Sequence, residues 1–311
     1  MFSSKSIKIS YFFLSIVFVS ILLYACKMVV PQPSKETSKI ETVKSQKPPR
    51  VLLFSKTKGW YHTSIPSGIA ALQKLGKENG FSVDTTKNAD YFTEDSLKNY
   101  STVIFLSTTL NVLNADQQVQ FERYIQAGGG YVGIHAAADT EYDWPWYNRL
   151  VGAYFLSHPN NSNVRKATIE VLDSTHISTT GLPKRWERTD EWYNYKNIQS
   201  DLKVLANLDE ETYEGGENGD NHPIAWYHEF DGGRAFYTGG GHTDESFSEP
   251  LFLKQLLGGI KYAVNDNSPL DYSKAYGVKK PEDNRFNKTV LSNDLNEPME
   301  LAISPDGRVF S

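Results

Sequence analysis

The stretch Gly128-Gly-Gly-Tyr-Val-Gly-Ile-His-Ala-Ala-Ala-Asp-Thr140 decides the fold of this chain. An amphipathic segment, 115–127, ends at the three glycines, and the short apolar run 131–134 then predicts a buried strand. His135 follows at the carboxyl end of that strand, with Asp139 close behind. Open α/β sheets bind ligands outside the carboxyl ends of their strands, so His135 stands where such a fold has its site. The alternative is a core histidine bonded to a backbone carbonyl.

Strand and helix patterns alternate on both sides of this stretch. Apolar runs predict strands over 50–55, 81–85 and 102–107, with a helical pattern over 65–80. Strands that alternate with helices predict an α/β fold of the flavodoxin-like kind, a parallel sheet with helices on both faces. Further strands are expected between 167 and 239, and a last helix over 250–264.

Composition excludes several classes of function. The 311 residues carry a net charge of −5 and no basic block outside the N-terminal region, which argues against nucleic acid as the main partner. Cys26 is the only cysteine, so neither an intrachain disulfide nor a thiolate metal site can form within the chain.

The N-terminal segment predicts export. Residues 1–26 combine Lys5 and Lys8 with an apolar run too short for a comfortable membrane span, and end Leu22-Leu23-Tyr24-Ala25-Cys26. This ending resembles the lipobox of bacterial lipoproteins, which implies lipidation of Cys26 and a lipid anchor at the periplasmic or outer side of the cell envelope. A plain N-terminal membrane anchor is the alternative. Residues 27–49, rich in Pro, Ser and Lys, predict a disordered tether.

Polar side chains recur at strand ends and loop starts. His62, His135 and His242 each have glycine nearby, and Asp139, Glu191 and His158 are further candidates. Loops that follow parallel strands share one edge of the sheet, so these residues could meet there. Histidines with carboxylates bind divalent metals or act as general acid and base. Because no pair has tight ligand spacing such as His-x-x-x-His, the sequence leaves the cofactor unknown, with a divalent metal possible.

Aromatic residues accompany these polar groups. Trp60, Tyr61, Trp144, Trp146 and Tyr193 would suit the apolar faces of a sugar ring. Tryptophan is more often buried packing than a ligand platform, so core packing is the alternative.

Several separated motifs resemble the ThuA-like, or trehalose-utilisation, family. They are the stretch 128–140, Trp60-Tyr61-His62-Thr63-Ser64, Asp190-Glu191, Trp226, and Gly233-Arg234 with Gly239-Gly-Gly-His242. The resemblance covers about residues 50–265. It implies a fold like the class I glutamine amidotransferases and a role in disaccharide or keto-sugar catabolism, with the reaction left open. Amidotransferases of that superfamily place a nucleophilic cysteine after a central strand, where His135 or its neighbour stands here, so glutamine hydrolysis by that route is excluded.

The C-terminal residues predict a separate unit. Residues 50–266 are expected to form the α/β domain, 267–288 a polar linker, and 289–311 a first hairpin around the turn Pro305-Asp306-Gly307. This hairpin resembles the opening of a β-propeller of the glucose/sorbosone dehydrogenase kind, which would be a C-terminal partner domain.

The leading hypothesis is an exported enzyme that acts on a saccharide or keto-sugar. The residues expected to be catalytic are His135, His242, Glu191 and Asp139. Those expected to bind substrate are Trp60, Tyr61, His62, His158, Trp144 and Tyr193. The alternatives are a non-catalytic sugar-binding module serving a following propeller, and a purely structural domain.

Overall fold

A computed structural model describes residues 47–278 and the backbone of two short strands near the C-terminus, 302–303 and 309–310. The predicted signal segment with Cys26, nearly all of the tether and the later part of the linker lie outside the described residues. No helix in the described part is long and apolar enough to cross a membrane.

Within the described residues, the strands form one large sheet and two small ones. The strands are β1 (Arg50–Phe54), β2 (Ser82–Thr86), β3 (Thr102–Leu106), β4 (Gly130–Ile134), β5 (Tyr154–Ser157), β6 (Val164–Val171), β7 (Arg185–Glu191), β8 (Asn194–Lys196), β9 (Lys203–Asp209), β10 (His222–Phe230), β11 (Gly233–Thr238), β12 (Ala302–Ile303) and β13 (Val309–Phe310). The large sheet has the order β2-β1-β3-β4-β11-β10-β9-β6-β7. β5 pairs with β8, and β12 with β13, each antiparallel.

Five helices flank the large sheet in the described residues. They are α1 (Ile65–Asn79), α2 (Glu94–Leu97), α3 (Ala115–Gln126), α4 (Pro145–Val151) and α5 (Pro250–Val264). Pro66 in the first turn of α1 needs no amide donor, and Gly80 ends that helix with a positive φ of 77°. Asn114 and Gln117 form a capping box that begins α3.

Side chains of β4 show that helices cover both faces. A side chain at Gly130 would meet the backbone of Ala263 in α5, whereas the ring of Tyr131 packs on Phe121 of α3 and Tyr147 of α4. Successive residues of a strand point to opposite faces, so α5 lies on one face and α3 and α4 on the other. The α/β fold predicted from the alternating pattern is confirmed.

Only the first half of the sheet is parallel, however. β2, β1, β3, β4 and β11 run parallel, while β10, β9, β6 and β7 extend the sheet with antiparallel neighbours. The switch occurs at the turn between β10 and β11, where Asp231 and Gly232 have φ of 50° and 91°. Two residues with positive φ form a tight hairpin turn, which can join only antiparallel strands.

The chain stays on the domain beyond Asp266, where the sequence predicted that a linker begins. The amide of Asp271 donates to the carbonyl of Ala127 over 2.9 Å. Gln126 Oε1 accepts from the amides of Tyr276 and Gly277 over 2.9 and 2.8 Å. Backbone groups after Asp266 therefore satisfy acceptors at the C-terminus of α3, and the domain boundary at Asp266 stays a prediction.

Candidate functional site

His135 occupies a strained turn at the carboxyl end of β4. Its φ is +52°, in the left-handed region that non-glycine residues rarely adopt, and a 3-10 turn follows directly over His135–Asp139. Tyr237 Oη donates to the carbonyl of His135 over 2.8 Å and holds the turn. Such strain concentrates at functional sites, where surrounding contacts impose it.

The imidazole of His135 is oriented by a backbone carbonyl. Nδ1 lies 2.8 Å from the carbonyl oxygen of Gly239, and only a protonated Nδ1 can donate to that oxygen. In the neutral ring Nε2 then carries a free lone pair, which is the arrangement usual for a metal-binding histidine.

Two other elements bring polar atoms to His135 Nε2. Glu191 ends β7, and its Oε2 lies 3.1 Å from this nitrogen. His242 follows β11, and its Nδ1 lies 3.2 Å from His135 Nε2 and 2.9 Å from Glu191 Oε2. Three atoms that can each offer a lone pair thus converge from separate segments.

His62, between β1 and α1, completes the group. Its ring centroid lies 4.8 Å from that of His135 and 5.1 Å from that of His242, edge-on to both. Its Nδ1 is buried and has no hydrogen-bond partner among the described residues. One potential ligand atom from each of the four residues lies within 4.8 Å of the others. We call His62, His135, Glu191 and His242 the His/Glu cluster.

Asp190 positions the turn that carries His242. Its carboxylate is fully buried and accepts from the amides of Gly241 and His242 over 2.7 and 3.0 Å. Arg188 pairs with this carboxylate over 3.0 Å, and Ser64 Oγ donates to the carbonyl of Gly241 over 3.0 Å. The main chain before His242 is therefore held from three sides, which limits where the ring can lie.

Burial and mutual contact shift the pKa values of His62, Glu191 and His242. Burial, reinforced by His135 and His242, lowers the pKa of His62 to about 2, so this ring is neutral. Burial alone would raise the pKa of Glu191, but the adjacent imidazoles of His135 and His242 outweigh it and hold the pKa well below its usual range. Burial also opposes the charge on His242, yet the Glu191 carboxylate raises the pKa of that ring. Glu191 is thus an ionised carboxylate among imidazoles.

His158, Tyr193 and Asp139 lie beside the cluster. His158 Nε2 is 3.8 Å from Glu191 Oε1, and its side chain is 39% exposed, so it can reach a bound molecule. The Tyr193 ring packs 4.3 Å from that of His135 and is buried, which makes it a wall of the site. Asp139 Oδ1 accepts from Tyr142 Oη over 2.5 Å, and burial raises the pKa of this carboxyl.

The predicted aromatic platform divides into exposed and buried parts. Trp60 is 71% exposed and Tyr61 44% exposed, directly before His62 in the chain. Trp144 is only 8% exposed, stacks on Trp146 with centroids 4.9 Å apart, and donates to Glu122. The structure therefore places Trp144 in the core and not at the His/Glu cluster, because its ring already stacks on Trp146 of α4.

The sequence analysis did not identify two contributors to the site. Asn163 Nδ2 donates to Glu191 Oε1, and no pattern in the sequence points to it. The role of the Gly239 carbonyl in orienting His135 was not predicted either. The glycine run 239–241 is the signal that points to it, because glycine leaves the backbone accessible.

The cluster has the composition and spacing of a transition-metal site. Imidazole and carboxylate together suit Zn²⁺, Mn²⁺, Fe²⁺ or Co²⁺. Neighbouring ligands about 2.0–2.1 Å from one cation, at tetrahedral or octahedral angles, are roughly 2.8–3.4 Å apart. The three central atoms, separated by 2.9, 3.1 and 3.2 Å, approach that spacing. His62 can supply a further ring nitrogen, so the donor set fits a divalent cation.

Comparisons with known proteins agree with the fold. A family model described as ThuA, trehalose utilisation, matches residues 50–263. A ThuA-like protein of Bacteroides uniformis is 24% identical, with a TM-score of 0.61 over 74% of this chain and 98% of that one. A ThuA-like protein of Parabacteroides merdae is 21% identical, with a TM-score of 0.57 over 70% and 91%. A search of curated proteins found no significant match.

Proposed function

The chain belongs to the ThuA family of trehalose utilisation, and on this premise we propose that its domain modifies a saccharide at a divalent cation held by the His/Glu cluster. The family supports a role in sugar metabolism. The cation and the reaction are our proposal, and they follow from the geometry of the cluster.

One observation carries the proposal. His135 Nδ1 donates to the Gly239 carbonyl, so Nε2 presents a lone pair to Glu191 Oε2 at 3.1 Å. Two acceptors at that distance repel each other unless a cation lies between them, either a proton on the ring or a metal ion. The further nitrogen of His242, 3.2 Å from His135 Nε2, and the unpartnered Nδ1 of His62 favour a shared metal ion over a single proton.

The chain's own residues suggest how a sugar would be handled. A bound cation would supply Lewis-acid polarisation of a sugar hydroxyl or carbonyl oxygen. His158 is half-exposed beside Glu191 and can accept or donate a proton at the bound molecule. Asp139, whose carboxyl pKa burial raises, is a second candidate for proton transfer. Trp60 and Tyr61 expose rings against which the apolar face of a sugar can pack.

Cation binding can be tested directly on the chelator-treated protein. Titration with Co²⁺ should give one site per chain and visible absorption bands characteristic of mixed nitrogen and oxygen ligation. His135→Ala should abolish these bands, whereas His176→Ala, which alters a histidine packed on Tyr227 away from the cluster, should retain them. Co²⁺ bands that survive His135→Ala would rule out the proposed site.

A non-catalytic sugar-binding module is the alternative function, and the exposure of Trp60 and Tyr61 is the observation that favours it. Turnover separates the two. If the cation-loaded protein binds trehalose or a keto-disaccharide saturably but leaves the sugar unchanged, the module is the correct description. Release of a new sugar product that depends on the cation supports the enzyme.

We further propose that Cys26 carries the lipid that anchors the protein at the bacterial envelope, because it is the only thiol and ends the apolar run of residues 1–26. Detergent-phase partitioning of Cys26→Ala and wild type provides the test. Identical partitioning of the two proteins would overturn the anchor.

A further inference from the structure

A cavity of about 410 Å³ lies at the carboxyl ends of the first three strands. Its lining comes from the loops that follow β1, β2 and β3, and includes Lys56, Lys58, Lys87, Asn88 and Asn111. No residue of the His/Glu cluster lines it, yet it opens at the same edge of the sheet. Ligands of α/β folds collect at this edge, so the cavity is a candidate for a second part of the binding site.

The three lysines of this cavity form no ion pair within the part of the chain that the structure describes. Among the described residues, no carboxylate lies within ion-pair distance of Lys56, Lys58 or Lys87. Elsewhere in the described residues, Lys74, Lys98, Lys166 and Lys274 pair with a carboxylate, whereas other exposed lysines, such as Lys77 and Lys203, do not. Three ammonium groups around a cavity whose lining includes one carboxylate, that of Asp90, produce a locally positive surface.

A hydrogen bond holds one of these ammonium groups in place. Lys56 Nζ donates to the carbonyl of Val112 over 2.7 Å, which keeps it at the cavity wall. Burial, and then the charge of Lys58, lowers the pKa of Lys56, although the carboxylates of Asp90 and Glu141 oppose the shift. A bound anion would relieve the repulsion between the two lysines. Asp90 also lines the cavity, where its Oδ1 accepts from Gln117 Nε2 over 3.3 Å, so the lining has three lysines and one carboxylate.

The cavity is connected to the cluster through Tyr61. Lys87 Nζ lies 5.7 Å from the centroid of the Tyr61 ring, and Tyr61 directly precedes His62. Lys58 lies on the same segment between β1 and α1. A molecule with one end between the lysines would therefore extend over the exposed ring of Tyr61 toward the cluster.

We propose that this cavity binds the carboxylate or phosphate of an anionic saccharide, with Lys58 and Lys87 as the principal contacts. The sugar part of this inference rests on the proposed function. The anion site itself rests on the unpaired lysines and the cavity that they surround. The substrate class thus becomes a sugar acid or a sugar phosphate, bound at its charged end away from the reacting atoms.

Calorimetric titration of the full chain with defined probes tests this proposal. The probes are glucuronate, glucose 6-phosphate, inorganic phosphate and glucose. Lys58→Gln/Lys87→Gln is compared with Lys77→Gln/Lys203→Gln, which removes the same charge from exposed lysines outside the cavity. We expect at least one anionic sugar to bind more tightly than glucose, and the cavity variant to lose about tenfold or more of that affinity while the control does not.

The outcomes separate the anion site from the proposed function. Preference for glucuronate over glucose 6-phosphate assigns a carboxylate, the reverse assigns a phosphate, and both support the site. Equal affinity of wild type and cavity variant for every anionic probe overturns it, as does binding of glucose as tight as that of both anionic sugars. Co²⁺ binding, measured on the same samples, reports on the His/Glu cluster alone, so its failure would contradict the proposed function and leave the anion site standing.

Discussion

His135 Nε2 and Glu191 Oε2 lie 3.1 Å apart, although four strands separate β4 from β7 in the sheet. The antiparallel half of the sheet must therefore curve until its edge strand faces the carboxyl end of β4. Strand twist accumulates across a sheet of this size and makes such curvature possible. The carboxylate of the site is thus supplied by the part of the fold that departs from a simple parallel sheet.

Glu191→Gln should weaken divalent-cation binding by at least about tenfold while leaving the fold intact, because the amide has the same shape but no charge. Glu187→Gln on the same strand provides the control, since that side chain is exposed and pairs only with Lys166. Calorimetric titration with Zn²⁺ or Co²⁺ measures the difference. Equal affinities of the two variants would show that Glu191 is not a ligand.

Asp190→Ala should lower both stability and cation affinity. The carboxylate accepts hydrogen bonds from Arg188, from Ser246 and from the amides of Gly241, His242 and Glu191. Its removal leaves a buried guanidinium without one of its partners, a change that costs about 3 kcal/mol or more.

Thermal unfolding and Co²⁺ titration of Asp190→Ala, with Glu187→Ala as control, measure the two effects. Asp190→Asn retains one acceptor oxygen and should give intermediate values. Loss of stability with unchanged Co²⁺ spectrum and affinity would show that Asp190 does not position His242.

Trp60→Ala and Trp144→Ala should have opposite consequences. Trp60 is 71% exposed, so its loss should weaken saccharide binding and leave the melting temperature nearly unchanged. Trp144 is 8% exposed and packs on Trp146, so its loss should cost about 3–5 kcal/mol of folding free energy. Denaturant unfolding and saccharide titration of both variants provide the measurement. If Trp144→Ala weakens binding without loss of stability, the assignment of this residue to the core is wrong.

Stability should fall as the pH is lowered below about 6.5, the ordinary pKa of histidine. Burial lowers the pKa values of His222 and His228, so the folded chain keeps both rings neutral where the unfolded chain takes up protons. The contribution of the two neutral rings to the free energy of unfolding is fully present above the pKa that histidine has in the unfolded chain. It is lost as the pH falls toward the pKa values in the folded chain, by up to about 1.4 kcal/mol per pH unit for each ring.

Denaturant titrations of the chelator-treated protein between about pH 8 and pH 5 measure this slope. His228→Gln should reduce it, because one of the rings that contribute to the slope is gone. An unchanged slope in that variant would mean that His228 has the same pKa in the folded and the unfolded chain.

Truncation after Val278 should leave the melting temperature within about 4 °C of the full chain, since 1 kcal/mol shifts a domain of this size by roughly 2–4 °C. A two-stranded hairpin such as β12–β13 is marginal in water and should add little. Truncation after Asp266 should lower the melting temperature further, because it removes the donors to Ala127 and Gln126. Equal melting temperatures of the two truncated chains would show that residues 267–278 contribute nothing.

The local patterns of the sequence determined the secondary-structure elements and the position of His135 in the site. The glycines before β4 and the apolar run of that strand predicted that His135 would follow a buried strand, and the alternation of strands and helices predicted the α/β fold. These properties depend on periodicity and on the conformations that glycine and proline permit, which a short stretch of sequence contains.

Only the tertiary structure decided which polar residues meet and which aromatic rings are covered. Glu191 reaches His135 because the antiparallel half of the sheet curves back, and Asp190 holds His242 through backbone amides more than fifty residues away. Trp60 and Trp144 are the same residue type, yet packing on Trp146 buries only the second. Contacts of this kind depend on the summed twist of the sheet and the packing of distant side chains, and neither leaves a periodic signal in the sequence.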